Sequence, residues 1–289
     1  MNKILNNQKL VFHYDTEILN EIVNVLKSNS YLTIQYIPTN YSYLAVVKEC
    51  QNIFNLITKK RHLLFYYSLF PKFYRFFLNK KLRICFDACF FNKYITQKDL
   101  LDVFSEKIIN KAISNNIIFQ KDSKFRFNLS FIPFESYILL RDPHQVYKAI
   151  ELNPLKSNDS VWLGADSIIF ARLIKKSLKN KFYKHAIEIG SGTGIQTIVS
   201  SKFAKLCKAI DYNKRAVEYT KLNVVINKIQ NIQTYYSNIF EDVEGKFDLI
   251  LANPWFIDLE KGGLEEVPSI MKDLDQYLNK DGLCLMLLN

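Results

Sequence analysis

KHAIEIGSGTGIQTIVSSKFAKLCKAID, residues 184–211, decides the fold. An apolar run ends in a glycine-rich turn at 190–194, a helix-compatible segment follows, and a second apolar run closes on Asp211. Two strands joined through a helix must pair in parallel, because only a crossover connection returns the chain to the same end of the sheet. The same alternation continues downstream. RAVEYTKLNVVINK (215–228) reads as helix, IQTYYSNIF (232–240) as strand and turn, and FDLILANPWF (247–256) as strand. VPSIMKDLDQYLNK (267–280) is a further helix and GLCLMLLN (282–289) a fifth strand. The expected fold class is therefore α/β, a doubly wound, mostly parallel sheet with helices on both faces. Ligands of such sheets bind at the carboxyl ends of the strands.

Those ends carry the candidate site. Glu188-Ile189-Gly190-Ser191-Gly192-Thr193-Gly194 leads from strand to helix, and its glycines let the backbone turn tightly beside a ligand that a Cβ would block. Glu188 precedes the glycines inside the strand, where a carboxylate can meet the ammonium group of an amino-acid ligand or order water. There is no G-K-[ST] to grip a triphosphate. Asp211, 17 residues after Gly194, can accept hydrogen bonds from both ribose hydroxyls of an adenosine, with Tyr212 beside it to pack on sugar or adenine. The third strand leads to Asn238 and Ile239, a polar and an apolar side chain suited to adenine's amino edge and face. Asn253-Pro254-Trp255-Phe256 follows the fourth strand. The Asn253 side-chain oxygen and the Pro254 carbonyl can accept the two N–H groups of a planar nitrogen, while Trp255 or Phe256 stacks on the flat acceptor. A dehydrogenase reading of the glycine turn leaves Glu188 and the NPWF loop without a role.

Together these residues make the region 185–257 resemble the cofactor-binding core of class I S-adenosylmethionine-dependent methyltransferases. It is similar to the branch with an N-P-P-[YFW] motif, which includes release-factor glutamine methyltransferases and amino methyltransferases of adenine and guanine in RNA and DNA. The resemblance implies a Rossmann-like fold and S-adenosylmethionine as cofactor. It implies that Glu188, Gly190, Gly192 and Gly194 hold the methionine part, Asp211 the ribose, and Asn238 with Ile239 the adenine; Ser191, Thr193 and Tyr212, set among them, complete the candidate cofactor-binding residues. Asn253, Pro254, Trp255 and Phe256 would form the catalytic loop, with Trp255 where the branch has its second proline. Val161-Trp162-Leu163-Gly164-Ala165-Asp166-Ser167 resembles the branch's short motif that closes over the cofactor. Members of the class add an antiparallel hairpin after the fifth strand, whereas this sequence stops at Asn289, so either a segment is missing or the N-terminal region completes the sheet edge.

Upstream, residues 15–28 place Ile18, Ile22, Val25 and Leu26 at helical spacing, and 41–78 reads as a second, aromatic-rich helix. From Lys59 to Arg83 there are eight basic residues and no acidic one, interleaved with aromatics that either stack bases or fill a core beneath a solvated lysine face. Thr96 caps QKDLLDVF, a second helix covers SEKIINKAISNN, and IIFQKDSKFRFNLSFIPF (117–134) reads as two strands joined at 121–124. Helix, helix, hairpin is the plan of a winged-helix module, a feature shared with a bacterial group of two-part methyltransferases. The expected organisation is an accessory or substrate-recognition domain over 1–150, mainly helical and winged-helix-like, and a methyltransferase domain over 151–289, joined near the polar LKSNDS.

The net charge of +11 lies mostly in the first half, where residues 1–155 carry 21 Lys/Arg against 12 Asp/Glu. A basic excess favours an anionic partner, and this composition accommodates RNA or DNA, a protein substrate, or a small metabolite held under an N-terminal lid. No apolar stretch is long enough for a membrane span or a secretory signal, which points to the cytoplasm. Five scattered cysteines read as reduced buried thiols, and with four histidines they offer no metal-ligand spacing, so no metal is expected. A cofactor-binding scaffold without catalysis is the alternative of another class.

Overall fold

The computed structural model describes residues 14–36, 78–143, 160–254 and 266–288. The helix expected over 41–78 falls outside them except for Leu78, as do Trp255 and Phe256.

Five parallel strands form the central sheet: β6 (Tyr183–Ile189), β7 (Ala204–Asp211), β8 (Ile232–Tyr236), β9 (Phe247–Ala252) and β10 (Leu278–Met286), in the order β10-β9-β6-β7-β8. The helices that cross between them or flank them are α5 (Ala165–Ser177), α6 (Ile195–Ser200), α7 (Lys214–Ile226) and α8 (Glu266–Tyr277). β9 is apolar throughout except for Asp248, as a strand covered on both faces must be. Asp248 sits at its start and accepts from the backbone N–H groups of Lys184 and His185 at 2.9 Å, which pins the neighbouring strand. The order reverses between β6 and β9, so the carboxyl ends of these two strands flank the crevice.

Before the sheet come α1 (Thr16–Ser28), α2 (Lys80–Cys85) with a π-turn at Phe86–Phe90, the two-residue β1 (Ile95–Thr96), α3 (Gln97–Leu101), and α4 (Glu106–Ser114). Side chains of Asn79, Thr96 and Ser105 accept from the first-turn amides Leu82, Asp99 and Ile108, satisfying donors that a helix start leaves unpaired. The run 117–134 corrects its expected two strands to three. β2 (Ile118–Lys121) and β3 (Lys124–Phe127) pair around a turn whose Asp122 has φ of 54°, and β1 adds to β3. β4 (Ser130–Phe134) leaves that sheet and pairs with β5 (Tyr137–Arg141) around Glu135, at φ 51°. Every residue of β4 and β5 is buried, so no alternation marked them. These N-terminal strands form sheets of their own and do not extend the edge at β10.

One hydrophobic cluster runs through α1, α4, β3, β4 and β5 and continues onto Ala216, Tyr219, Leu222 and Ile226 of α7. The upstream region thus shares a core with the sheet's helical layer. Two asparagines one turn apart, Asn223 on α7 and Asn227 at its C-cap, seal the contact by pairing with β5 as a neighbouring strand would. Asn223 Oδ1 accepts from Leu140 N at 2.6 Å and Asn223 Nδ2 donates to Leu140 O at 3.0 Å; Asn227 does the same for Ile138 at 3.1 and 2.8 Å. Asn223 also donates to Thr193 O at 2.9 Å, inside the glycine loop. Replacing it with alanine leaves three buried backbone groups without this partner, at roughly 1–3 kcal/mol each before relaxation. Urea unfolding of Asn223→Ala is expected to show a loss of several kcal/mol, and Asn227→Ala, at the less buried position, a smaller one. Equal small losses would contradict the asymmetry.

Candidate active site

The glycine loop is tied down at both ends. Ser191 N donates to Ile210 O at 2.9 Å, Gly192 N donates to Asp211 Oδ2 at 2.9 Å, and Thr220 Oγ1 donates to Gly192 O at 3.1 Å. Gly190, Gly192 and Gly194 have φ of 69°, 54° and 75°, the left-handed region where a side chain costs about 1–2 kcal/mol. They differ in surroundings. A Cβ on Gly194 would stand 2.7 Å from Thr220 Cγ2, so this glycine serves packing; a Cβ on Gly190 or Gly192 would meet nothing within 4 Å, and these two leave open the space before the loop.

Glu188, near the end of β6, is 1% exposed. Its Oε2 accepts from Thr197 N at 2.8 Å and from the Thr197 hydroxyl, while Oε1 has no hydrogen-bond partner. Burial pushes its carboxyl up to about 8, against the opposing hydrogen bonds from Thr197, with Asp211 adding a smaller upward push. Between the ordinary carboxyl value of 4.5 and about 8, the folded chain therefore holds a proton that the unfolded chain releases. The stability that this proton contributes is complete at low pH and is lost as pH rises toward 8, by about 1.4 kcal/mol for each pH interval of one across that window. Chemical unfolding from about pH 6 to 9 is expected to show the wild type weakening relative to Glu188→Gln, which cannot titrate. Parallel profiles would remove the raised carboxyl.

Asp211, at the end of β7, accepts from Gly192 N through one oxygen and from Asn213 N, at 2.8 Å, through the other. Tyr212 next to it is 55% exposed. After β8, the Asn238 amide donates to Glu241 Oε1 at 2.7 Å and is exposed. Ile239 has φ of 50°, an uncommon conformation for a β-branched residue. Asn253 and Pro254 follow β9. Asn253 Nδ2 donates to Ser167 Oγ at 3.0 Å and to Asp166 Oδ2 at 3.2 Å, whereas its Oδ1 is buried without a partner.

The strand ends thus gather Glu188, the loop 190–194, Asp211, Tyr212, Asn238, Ile239, Asn253 and Pro254 along one rim. Thr197, which holds Glu188, and Asn223, which holds the loop, were not among the expected site residues. A threonine in the first turn of α6 and an asparagine on the next helix carry no spacing signal. Nor did the sequence suggest the buried Asp142, which accepts from Val161 N at 2.8 Å and Tyr219 OH at 2.8 Å and pairs with Arg215. Through Arg215, whose amide donates to Asn213 at 2.9 Å, this cluster lies next to Asp211.

The orphaned Glu188 oxygen, the open face of Gly190 and Gly192, and the anchored Asp211 make a cradle with a carboxyl group at each end, suited to an adenosylated amino acid. The family model of the methyltransferase small domain matches residues 164–289. A Methanocaldococcus jannaschii protein assigned provisionally as a protein N5-glutamine methyltransferase is 34% identical over 155 residues, covering 48% of this chain and 77% of that protein. This chain belongs to the small-domain methyltransferases.

A ribosomal protein L11 methyltransferase of Clostridium perfringens is 34% identical over 97 residues, or 33% of this chain, and the chain spans only 28% of that relative's length. Among solved structures, the ribosomal protein L11 methylase of Lactobacillus delbrueckii subsp. bulgaricus aligns with a TM-score of 0.38 and 24% identity over 51% of this chain and 75% of its own. A tRNA m1G37 methyltransferase of M. jannaschii aligns at 0.39 and 20%, over 54% and 42%. The methyltransferase is S-adenosylmethionine-dependent, as the expected fold and cofactor required. Among its described residues no helix is long and apolar enough to cross a membrane.

Proposed function

We propose that this methyltransferase transfers a methyl group to a planar nitrogen, an amide or exocyclic amine, of a protein or RNA in the cytoplasm. The observation that carries the reading is the Asn253 side chain: its nitrogen donates to Ser167 and Asp166, which leaves an acceptor oxygen without a donor. A buried acceptor without a donor costs about 1–3 kcal/mol, and such orphans call for a functional explanation. An incoming N–H supplies the missing donor, and the Pro254 carbonyl offers a second acceptor next to it.

When bound, S-adenosylmethionine supplies an electrophilic methyl group on sulfur. Glu188 and the loop 190–194 hold its amino-acid portion, Asp211 its ribose hydroxyls, and Asn238 and Ile239 border its adenine. Asn253 and Pro254 orient the acceptor nitrogen, whose lone pair is otherwise delocalised, and positioning rather than acid–base chemistry does most of the work. Residues 1–150 serve as the recognition domain. The capped helices and the small sheet β1-β3-β2 support a winged-helix reading of it, and the basic excess of the first half favours an anionic docking partner. The relatives named for protein acceptors support a macromolecular substrate.

The test is transfer of tritiated methyl from S-adenosylmethionine to separated protein and RNA fractions, followed by identification of the labelled atom. Label on a nitrogen supports the reading, and label confined to oxygen or carbon sinks it. An RNA acceptor would also make transfer fall steeply with salt.

A further inference from the structure

An amide has two unlike edges, and only a neighbour with fixed polarity can decide which one is left without a partner. Asn253 has such a neighbour. An ionised carboxylate only accepts, so the atom 3.2 Å from Asp166 Oδ2 must be the Asn253 nitrogen. Ser167 lies 3.2 Å from the same Asp166 oxygen and donates its hydroxyl hydrogen there, so its lone pairs are what the second Asn253 hydrogen meets, at 3.0 Å. The nitrogen edge of the amide is thereby assigned by the two acceptors that face it.

The clamp is itself held in place. Asp166 and Ser167 lie in the first turn of α5, and a Cβ at Gly164 would come within 2.2 Å of Asp166 Oδ1 and 2.9 Å of Trp162 Nε1. The carboxylate is folded back against Gly164, and a side chain at that position would push it aside. Gln196 Nε2 on α6 donates to Ser167 O at 3.2 Å, tying the same turn to the helix that follows the glycine loop.

We propose that Asp166 and Ser167 are positioning residues that lock the Asn253 amide with its oxygen toward the acceptor, so that the site accepts an N–H and refuses a carbonyl or carboxylate. This rests on the reading of Asn253 as the group that meets the acceptor. The clamp makes the acceptor's polarity a property of α5, an element distant in sequence from the catalytic loop.

The experiment is hydrogen exchange of the Asn253 side-chain amide in protein labelled with 15N-asparagine, the signal being identified by its loss in Asn253→Asp. Asp166→Ala is expected to speed exchange at least tenfold, and Asp166→Asn, which keeps the shape and one acceptor oxygen, by less. A charge swap gives a second readout. Asn253→Asp alone sets two carboxylates together and should melt at progressively lower temperature as pH rises from about 5 to 8. Adding Asp166→Asn restores a donor–acceptor pair and should recover the melting temperature. Unchanged exchange in Asp166→Ala, or no recovery in the double variant, overturns the clamp. Neither readout involves an acceptor, so their failure refutes the clamp alone, whereas methyl transfer undiminished in Asn253→Ala refutes the proposed function and leaves the clamp standing.

Discussion

Asn253→Ala is expected to lower methyl transfer by about 100- to 1,000-fold while leaving S-adenosylmethionine binding within a few-fold of wild type. The size follows from what the side chain does. Removing one preorganised polar contact at a reacting centre costs on the order of 100- to 1,000-fold, and a misplacement of about 1 Å costs a similar factor. The cofactor contacts proposed for Glu188, the loop and Asp211 lie on other strands and are untouched. Single-turnover kinetics beside calorimetric titration separates the two quantities. Asn253→Gln carries the same amide one methylene further and should rescue little, because its nitrogen can no longer meet Ser167 and Asp166 at 3.0 and 3.2 Å while its oxygen stays in place. Loss of cofactor binding in parallel with turnover would move Asn253 from the acceptor to the cofactor.

Asp211→Ala should produce the opposite pattern, a loss of cofactor affinity of about 100-fold or more. Hydrogen bonds to a charged group contribute roughly 1.5–3 kcal/mol each, and two ribose hydroxyls share this carboxylate in the proposed pose. The substitution also releases Gly192 N and Asn213 N, so the glycine loop loses its anchor at the point where Gly190 and Gly192 leave space open. Asp211→Asn tests the separation: it keeps one oxygen and the shape, and should fall between wild type and alanine. Calorimetry with S-adenosylmethionine and its demethylated product reads the effect directly. Near-wild-type affinity in a folded Asp211→Ala protein would remove Asp211 from the site and with it the proposed orientation of the nucleoside.

The upstream half also bears on these outcomes. Asp142, buried at the end of β5, accepts from Val161, Arg215 and Tyr219, and burial holds its neighbour Arg141 down to about 10 while the Arg141 guanidinium stacks 4.4 Å over Trp162. The region before the sheet is thus attached to the motif 161–167 and, through Arg215, to the turn after Asp211. Variants in this cluster are expected to change stability before they change chemistry, because a buried charge that loses its partner is costly.

Local sequence determined the alternating strands and helices from β6 to β10, since each strand is a short apolar run bounded by turn residues and each crossover is long enough for a helix. It also marked the glycine loop, whose left-handed backbone at 190, 192 and 194 only glycine adopts without strain, and the polar residues at strand ends, where a parallel sheet brings ligands. The strand β5 was missed and β4 was merged with β3 because both faces of the β4-β5 hairpin are buried, which erases the alternation that identifies a strand. The contacts that aim the site were illegible for another reason. Asn253 meets Ser167 from 86 positions away and Asn223 reaches Leu140 from 83 positions away, and no periodicity links such pairs. Their meeting is a consequence of how α5 and α7 pack on the sheet, so tertiary structure alone decided that the Asn253 side-chain oxygen is left without a partner.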